Sequence, residues 1–405
     1  MLAFRTLDDV DVKGKRVLMR VDFNVPADQG SVEDATRIER MAPTVREIAD
    51  KGGKVILVSH FGRPKGPNPA DSLRPIAATA ARVIGRPIRF VEDCVGDVAE
   101  TAVAAMQPGD VVCLENTRFH SGETKNDPKF VAQLARLGDI YVNEAFSVAH
   151  RAHASTEGLG HVLPVYAGRD MQAELDALGA ALNAPQRPVA AIVGGSKIST
   201  KIELLGNLIA KFETLIIGGA MANTFLAAQG KAIGKSLYEP GLLDTARGIM
   251  AKAKSARHEI VLPVDAVVAA KLAVHAPSRV VPVDSIGPDD MILDIGPRSI
   301  EQVISVLGRA KTLVWNGPFG AFEYEPFDNG TIEVAEAAAE LTAAGRLVSI
   351  AGGGDTVAAL NGAGVTERFT YVSVAGGAFL EWLEGKTLPG IEVLKTSRTP
   401  AATHG

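Results

Sequence analysis

The segment VAAIVGGSKISTKIELL, residues 189–205, decides how the chain is read. A run of β-branched and small apolar residues stops at Gly194-Gly195, and the pattern predicts a helix from Ser196 with Lys197 and Lys201 four residues apart. Two ammonium groups at i and i+4 share one helix face and cost it a few tenths of a kcal/mol unless an anion lies between them. A helix start adds free N–H groups and partial positive charge, and the glycines let a phosphate approach the backbone. A solvated lysine face after a tight turn also accounts for the pair, and the phosphate-loop pattern G-x-x-x-x-G-K-[ST] cannot be fitted. By itself the segment marks a strand-to-helix crossing of an α/β sheet and leaves its ligand open.

The second half repeats such crossings. TLIIGGAMANTF (residues 214–225), LVSIAGGGDTVAAL (347–360) and YVSVAGGAFLEWL (371–383) each pass from strand through glycines into a helical pattern, and LVWNGPFGAFE (313–323) ends its strand in a similar turn. Together they form a platform for a polyphosphate or nucleotide. None is a G-x-G-x-x-G with an acidic residue at the right distance, which disfavours a nicotinamide-binding domain. Asp355 stands at a helix start on this rim, where it serves as an N-cap, an oxygen ligand for Mg2+, or both. Glu323 is placed to accept hydrogen bonds from a ribose, or is simply solvated.

In the first half the strands end in polar and charged residues instead: RVLMRVDFNVP (16–26), KVILVSHFGRP (54–64), DVVCLENTRFH (110–120) and IYVNEAFSVAHRAH (140–153). Helical patterns over 36–51 and 73–85 separate strands, so the order is β-α-β with a parallel sheet. The carboxyl ends of such strands share one edge, where ligands bind. That edge would collect Asp22, Asn24, His60, Arg63, Arg118, His150, Arg151 and His153, with His120 at a further strand end and Arg37 reaching back from a helix start. Packed guanidinium and imidazole groups repel unless a shared anion compensates them. A phosphorylated or carboxylated metabolite fits.

A chain of 405 residues exceeds what one core usually supports. Met171, Leu175, Leu178 and Leu182 make an amphipathic helix that ends at PQRP, which predicts a connector. The fold class read here is α/β, two doubly wound parallel-sheet (Rossmann-like) domains: 1–170, a connecting helix 171–185, and 186–389. The tail 390–405 lacks a long periodic run and is expected to lie across the surface, near the first domain. Net charge is −5 and the isoelectric point about 6.0, which disfavours nucleic acid and anionic membranes as partners. Cys94 and Cys113 have no metal-type or redox spacing. The charged N-terminus lacks the apolar core of a secretory leader, so a cytoplasmic protein is expected.

In this order, RVDFNVP, SHFGRP, ENTRF, AHRAHAS, GGSKISTKI, GGAMANTFL, WNGPFGAFE, GGGDT and the closing LPG closely resemble the phosphoglycerate kinase family over essentially the whole chain. The resemblance implies phosphoryl exchange between 1,3-bisphosphoglycerate and ADP, giving 3-phosphoglycerate and ATP, with triose phosphate on the first domain and Mg-nucleotide on the second. By similarity the triose site falls on Asp22, Phe23, Asn24, Arg37, His60, Phe61, Gly62, Arg63, Arg118 and Arg151. Nucleotide contacts fall on Lys201, Gly219, Glu323, Gly353, Gly354, Asp355 and Thr356, with Asp355 holding Mg2+. Arg37, Lys197, Lys201, Gly376 and Gly377 would stabilise the transferring group. A monomer is expected, and half-sites on two domains predict closure when both substrates bind, read as compaction by small-angle scattering of the ternary complex.

Two stretches depart from the family pattern. Glu144, Ser147 and Val148 stand where the family usually has Asp, Gly and Thr, and Val374-Ala375 where it commonly has Thr-Gly. A non-catalytic anion- or nucleotide-binding homologue, or a kinase of another small acid, would share most of these features.

Overall fold

Short runs of Val, Ile, Leu and Ala bounded by glycine or charge can satisfy their backbone only by pairing, and apolar side chains on both faces require cover on both sides. The computed structural model, which describes residues 4–28 and 31–396, shows these runs as the central strands of two parallel sheets. By contacts the chain divides into one unit of Ala177–Lys386 and another combining Leu2–Asp176 with Thr387–Gly405.

In the unit that begins the chain the strands are β1 (Arg16–Arg20), a two-stranded hairpin of β2 (Ala27–Asp28) and β3 (Ser31–Val32), β4 (Lys54–Val58), β5 (Arg89–Val91), β6 (Val111–Leu114), β7 (Ile140–Asn143) and β8 (Val165–Ala167). Six of them form a parallel sheet in the order β5-β6-β4-β1-β7-β8. The chain leaves β1 on one side for β4 and later returns to its other side as β7, so the reversal point lies at β1. The helices Thr36–Asp50 and Arg74–Ile84 bury Ile38, Met41, Val45, Ile48, Ile76 and Ala80 against one face.

The other unit contains β9 (Val189–Val193), β10 (Thr214–Ile217), β11 (Glu259–Val261), β12 (Asp265–Ala269), β13 (Ser278–Pro282), β14 (Met291–Ile295), β15 (Thr312–Asn316), β16 (Val348–Gly352) and β17 (Tyr371–Ser373). Its parallel sheet runs β11-β10-β9-β15-β16-β17, a doubly wound order that reverses between β9 and β15. A three-stranded antiparallel sheet, β13-β12-β14, is added to it. The sequence reading did not anticipate that sheet, because its edge strand β13 is mostly exposed and carries no buried apolar run.

The stretch expected to be a connector contains the helix Arg169–Leu182, whose Met171, Leu175, Leu178 and Leu182 are all buried. The C-terminal segment Pro389–Thr396 is a helix that buries Ile391, Val393 and Leu394. Gly390 N donates to Ala149 O at 2.9 Å, and Asn143 Nδ2 to Gly390 O at 3.1 Å. The rest of the predicted tail, 397–405, lies outside the described residues.

Candidate active site

Arg20, the last residue of β1, is 1% exposed. A buried guanidinium cannot give up its proton, so its neighbours must accept. It donates to Ser155 Oγ at 2.9 Å and to His60 Nδ1 at 2.8 Å. Ser155 in turn donates to the buried Glu123, from Oγ at 2.6 Å and from N at 3.0 Å, so the charge of Arg20 is balanced across one hydroxyl. Bonding at Nδ1 leaves the proton of His60 on Nε2. Burial, then the charge of Arg20, Arg118 and Arg151, holds the His60 imidazole far below its ordinary range. His153 is brought down to about 4 by burial and by Arg118 and Arg151. The expected convergence of guanidinium and imidazole charge is corrected accordingly: the arginines carry the charge, and the two histidines are neutral donors and acceptors.

The arginines themselves are under strain from one another. Burial, with Arg151 and Arg20 next, lowers Arg118 to about 10. Its Nε is buried and has no hydrogen-bond partner among the described residues. Arg118 and Arg151 line a cleft of about 640 Å³ with Arg63, Lys65, His120 and His153.

Beside it, Asp22 Oδ2 accepts from Arg37 Nη1 at 2.9 Å and from Ser147 Oγ at 2.5 Å. The same Arg37 nitrogen donates to Asn24 O at 2.7 Å, while Asn24 Oδ1 accepts from Gly62 N at 2.9 Å. Arg37 is thus aimed back over the sheet edge from the first turn of its helix. Phe61 is tied to Asn116 through both its N–H and its carbonyl. Phe23 does not share this exposure. Its side chain is fully buried in the core, and only its backbone N–H, donated to Ser59 Oγ at 2.9 Å, belongs to the rim.

In the other unit the opening segment sits at the sheet's reversal point. A Cβ on Gly194 would lie 2.0 Å from Pro318 O, and one on Gly317 2.4 Å from Gly194 O, so these glycines serve backbone-to-backbone contact. The predicted helix from Ser196 is also corrected. Residues 196–201 form turns and the helix is Ile202–Lys211, because buried Ile198 and the bonds of Ser199 to Glu239, at 3.0 Å from N and 2.5 Å from Oγ, pull the segment aside. Lys197 and Lys201 therefore do not share a helix face. Lys197 is exposed, whereas Lys201 Nζ donates to Gly194 O at 2.6 Å, Asn316 Oδ1 at 2.7 Å and Asn316 O at 3.2 Å. Burial lowers Lys201 to about 8, against the opposing pull of Asp355.

Around this lysine, Gly219 opens the helix Gly219–Ala228 and donates its N–H to Phe319 O at 2.8 Å. Gly353, at φ +102°, turns β16 into the helix Gly354–Gly362, and the buried Thr356 accepts from Gly317 N at 2.7 Å through Oγ1. Asp355 is exposed in that helix's first turn. At Gly354 and Gly376 an added Cβ would meet nothing within 4 Å. Gly376 has φ +49° and precedes the helix Gly377–Leu383, whose first residue is exposed. Glu323 is exposed on the turn after β15. Nearby, Phe322, Thr331, Ile332, Ala358, Ala359 and Gly362 help to line a recess of about 200 Å³.

Two side chains that position these groups, Arg20 and Asn316, are not singled out by the sequence, and Ser147 appears there only as a departure from the family pattern. Arg20 does leave a signal, a charge inside the apolar run VLMRV. Glu144 turns out to face away from the cleft. It is buried, accepts from Asp170 N at 3.2 Å, Met171 N at 3.4 Å and Thr44 Oγ1, and so caps the connector helix from within. Burial, with Asp170 second, raises it to about 8.

No helix among the described residues is long and apolar enough to cross a membrane. The phosphoglycerate kinase family model matches residues 7–386. Phosphoglycerate kinases of Bradyrhizobium diazoefficiens and Methylorubrum extorquens are each 64% identical to this chain, over 97% and 98% of it and 98% and 99% of their own lengths. The solved phosphoglycerate kinase of Coxiella burnetii is 40% identical with a TM-score of 0.91, covering 98% of this chain and 100% of its own. That of Pyrococcus horikoshii is 29% identical with a TM-score of 0.81, covering 98% and 99%. Matched along nearly its whole length, the chain belongs to the phosphoglycerate kinase family.

Proposed function

We propose that the chain carries out the reaction of its family, reversible phosphoryl transfer between 1,3-bisphosphoglycerate and ADP, and that the two strand-end rims divide the work. The observation that carries the division is the arginine cleft itself. Arg118 holds a buried N–H without an acceptor and is destabilised by Arg151 and Arg20, which an anion relieves. Arg63, Arg118 and Arg151 bind the phosphate of the triose, while Asp22, Asn24 and His60 supply hydrogen bonds to its remaining oxygens. Arg37, already aligned by Asp22 and Asn24, points to the transferring group.

The N–H groups at the helix starts Gly354 and Gly377, with Gly376 just before, receive the nucleotide phosphates, the apolar recess beside Ile332 and Ala358 takes the base, and Glu323 the ribose. Lys201 exchanges its carbonyl partners for a phosphate oxygen, and Lys197 adds charge from solvent. An exposed carboxylate at a helix start is the hard oxygen donor that Mg2+ takes, and Asp355 would hold the ion of the Mg-nucleotide. Bound there, the ion neutralises phosphate charge.

The transition state spreads negative charge over three equatorial oxygens, so cations and fixed N–H groups lower its energy. The oxygen of 3-phosphoglycerate that attacks is a carboxylate, already ionised at neutral pH, and no general base is required. An assay that couples ADP formation from ATP and 3-phosphoglycerate to a visible readout tests the reading. Turnover with 3-phosphoglycerate and none with other phosphorylated acids is expected, and absence of turnover overturns it.

A further inference from the structure

Beside the cleft, two loops bring together side chains that phosphoryl transfer does not use. Asp93 and Cys94 follow β5, and His120 follows the short helical turn Thr117–Phe119 after β6. The two strands are hydrogen-bonded neighbours, with Val91 opposite Leu114, so their loops emerge side by side. A carboxylate oxygen of Asp93, the sulfur of Cys94 and a ring nitrogen of His120 all lie within 4.8 Å of one another. His120 Nε2 meets Asp93 Oδ1 at 2.7 Å, and its ring is stacked on Phe130 at 5.3 Å between centroids, which holds it in place.

Cys94 is fully buried and is a free thiol. The buried sulfur has no access to a substrate, which disfavours a nucleophilic role. A metal ion would take it as the thiolate and displace its proton.

We propose that Asp93, Cys94 and His120 form a binding site for a thiophilic divalent ion of the Zn2+ class at the margin of the arginine cleft. One thiolate, one imidazole and one carboxylate are a donor set suited to a borderline-soft ion and poorly suited to Mg2+. Asp93 and His120 are each about a third or more exposed, at 42% and 34% of their side chains, so water completes the coordination and the ion has a path of entry. Binding through Nε2 moves the His120 proton from the side facing Asp93 to Nδ1, and the thiol proton of Cys94 is released to solvent.

The test uses the full chain, stripped with a chelator and titrated with Co2+, which reports sulfur ligation by a near-ultraviolet charge-transfer band. One Co2+ per chain with that band is expected, displaced in equal amount by Zn2+. Cys94→Ser abolishes the band and Cys113→Ser leaves it. His120→Ala removes a direct ligand and weakens Co2+ binding by more than the roughly 10- to 100-fold that loss of an outer-shell partner costs. Should Cys94→Ser fail to fold by circular dichroism, His120→Ala, made at a position about a third exposed, still decides. A wild-type chain without the band, a band that survives Cys94→Ser, or unchanged affinity in His120→Ala overturns the site.

Discussion

The two rims carry their polarity by different means. The rim of the first sheet gathers the buried Arg20 with the half-buried Arg118 and Arg151, whose repulsion is tolerated because Glu123, through Ser155, offsets Arg20, and because His60 and His153 stay neutral among them. The rim of the second sheet relies on backbone N–H groups at helix starts and on one lysine spent on carbonyls. Side-chain charge is stored on the first rim and backbone polarity on the second. Under the proposed function, a small, highly charged triose would meet the former, whereas a nucleotide carrying Mg2+ would use the space and directed dipoles of the latter.

Substitutions can break that contrast. The largest effect is expected from Arg37→Ala, which lowers kcat by about 100-fold or more, the cost of losing a preorganised donor to the transition state, while ADP affinity is retained. Lys201→Ala lowers both. Steady-state kinetics with ADP titration checks the pair, and equal loss of ADP affinity in the two variants contradicts the division.

Next come the two kinds of glycine. Gly194→Ala forces a methyl to 2.0 Å from Pro318 O and is expected to lower Tm by several degrees, at roughly 2–4 °C per kcal/mol for a unit of this size. Gly354→Ala meets nothing within 4 Å, so it leaves Tm unchanged and weakens ADP binding instead. Calorimetric melting beside ADP titration separates them, and a matching Tm loss in both would show that packing demands every crossing glycine.

Glu144 and the histidines give smaller, pH-dependent effects. A carboxyl raised in the folded state to about 8 binds its proton more tightly folded than unfolded, so its contribution is complete below the unfolded value of about 4.5 and is lost as pH rises toward 8. Glu144→Gln is therefore expected to flatten the decline of Tm over that window, and an unchanged slope contradicts this. Lys201, lowered to about 8, loses its charge above that pH, so ADP affinity falls as pH rises through it. Phosphoglycerate affinity stays flat there, because His153 titrates near 4 and Arg118 near 10. A flat profile for ADP would contradict the lysine's role.

Most of the architecture was legible because parallel strands buried on both faces must be continuous apolar runs. Residues 54–58 and 189–193 show this, and the amphipathic stripe of the connector needs only its own period to be recognised. The antiparallel addition β12–β14 and the burial of Ile391, Val393 and Leu394 were not legible, since exposed edge strands and short terminal helices draw their stability from what they touch.

At the rims, the sequence determined which residue types end which strands: arginine, histidine and aspartate in the first half, glycine in the second. Strand-end position follows from local pattern, and local pattern is carried by neighbours in the chain. Tertiary structure decided what those residues do there. It turned Phe23 into the core, Glu144 onto a helix end and Lys201 onto the carbonyls of Gly194 and Asn316. It neutralised His60 and set Cys94 beside His120. Protonation and partner choice depend on burial and on charges that arrive from distant strands, and no spacing along the chain encodes those distances.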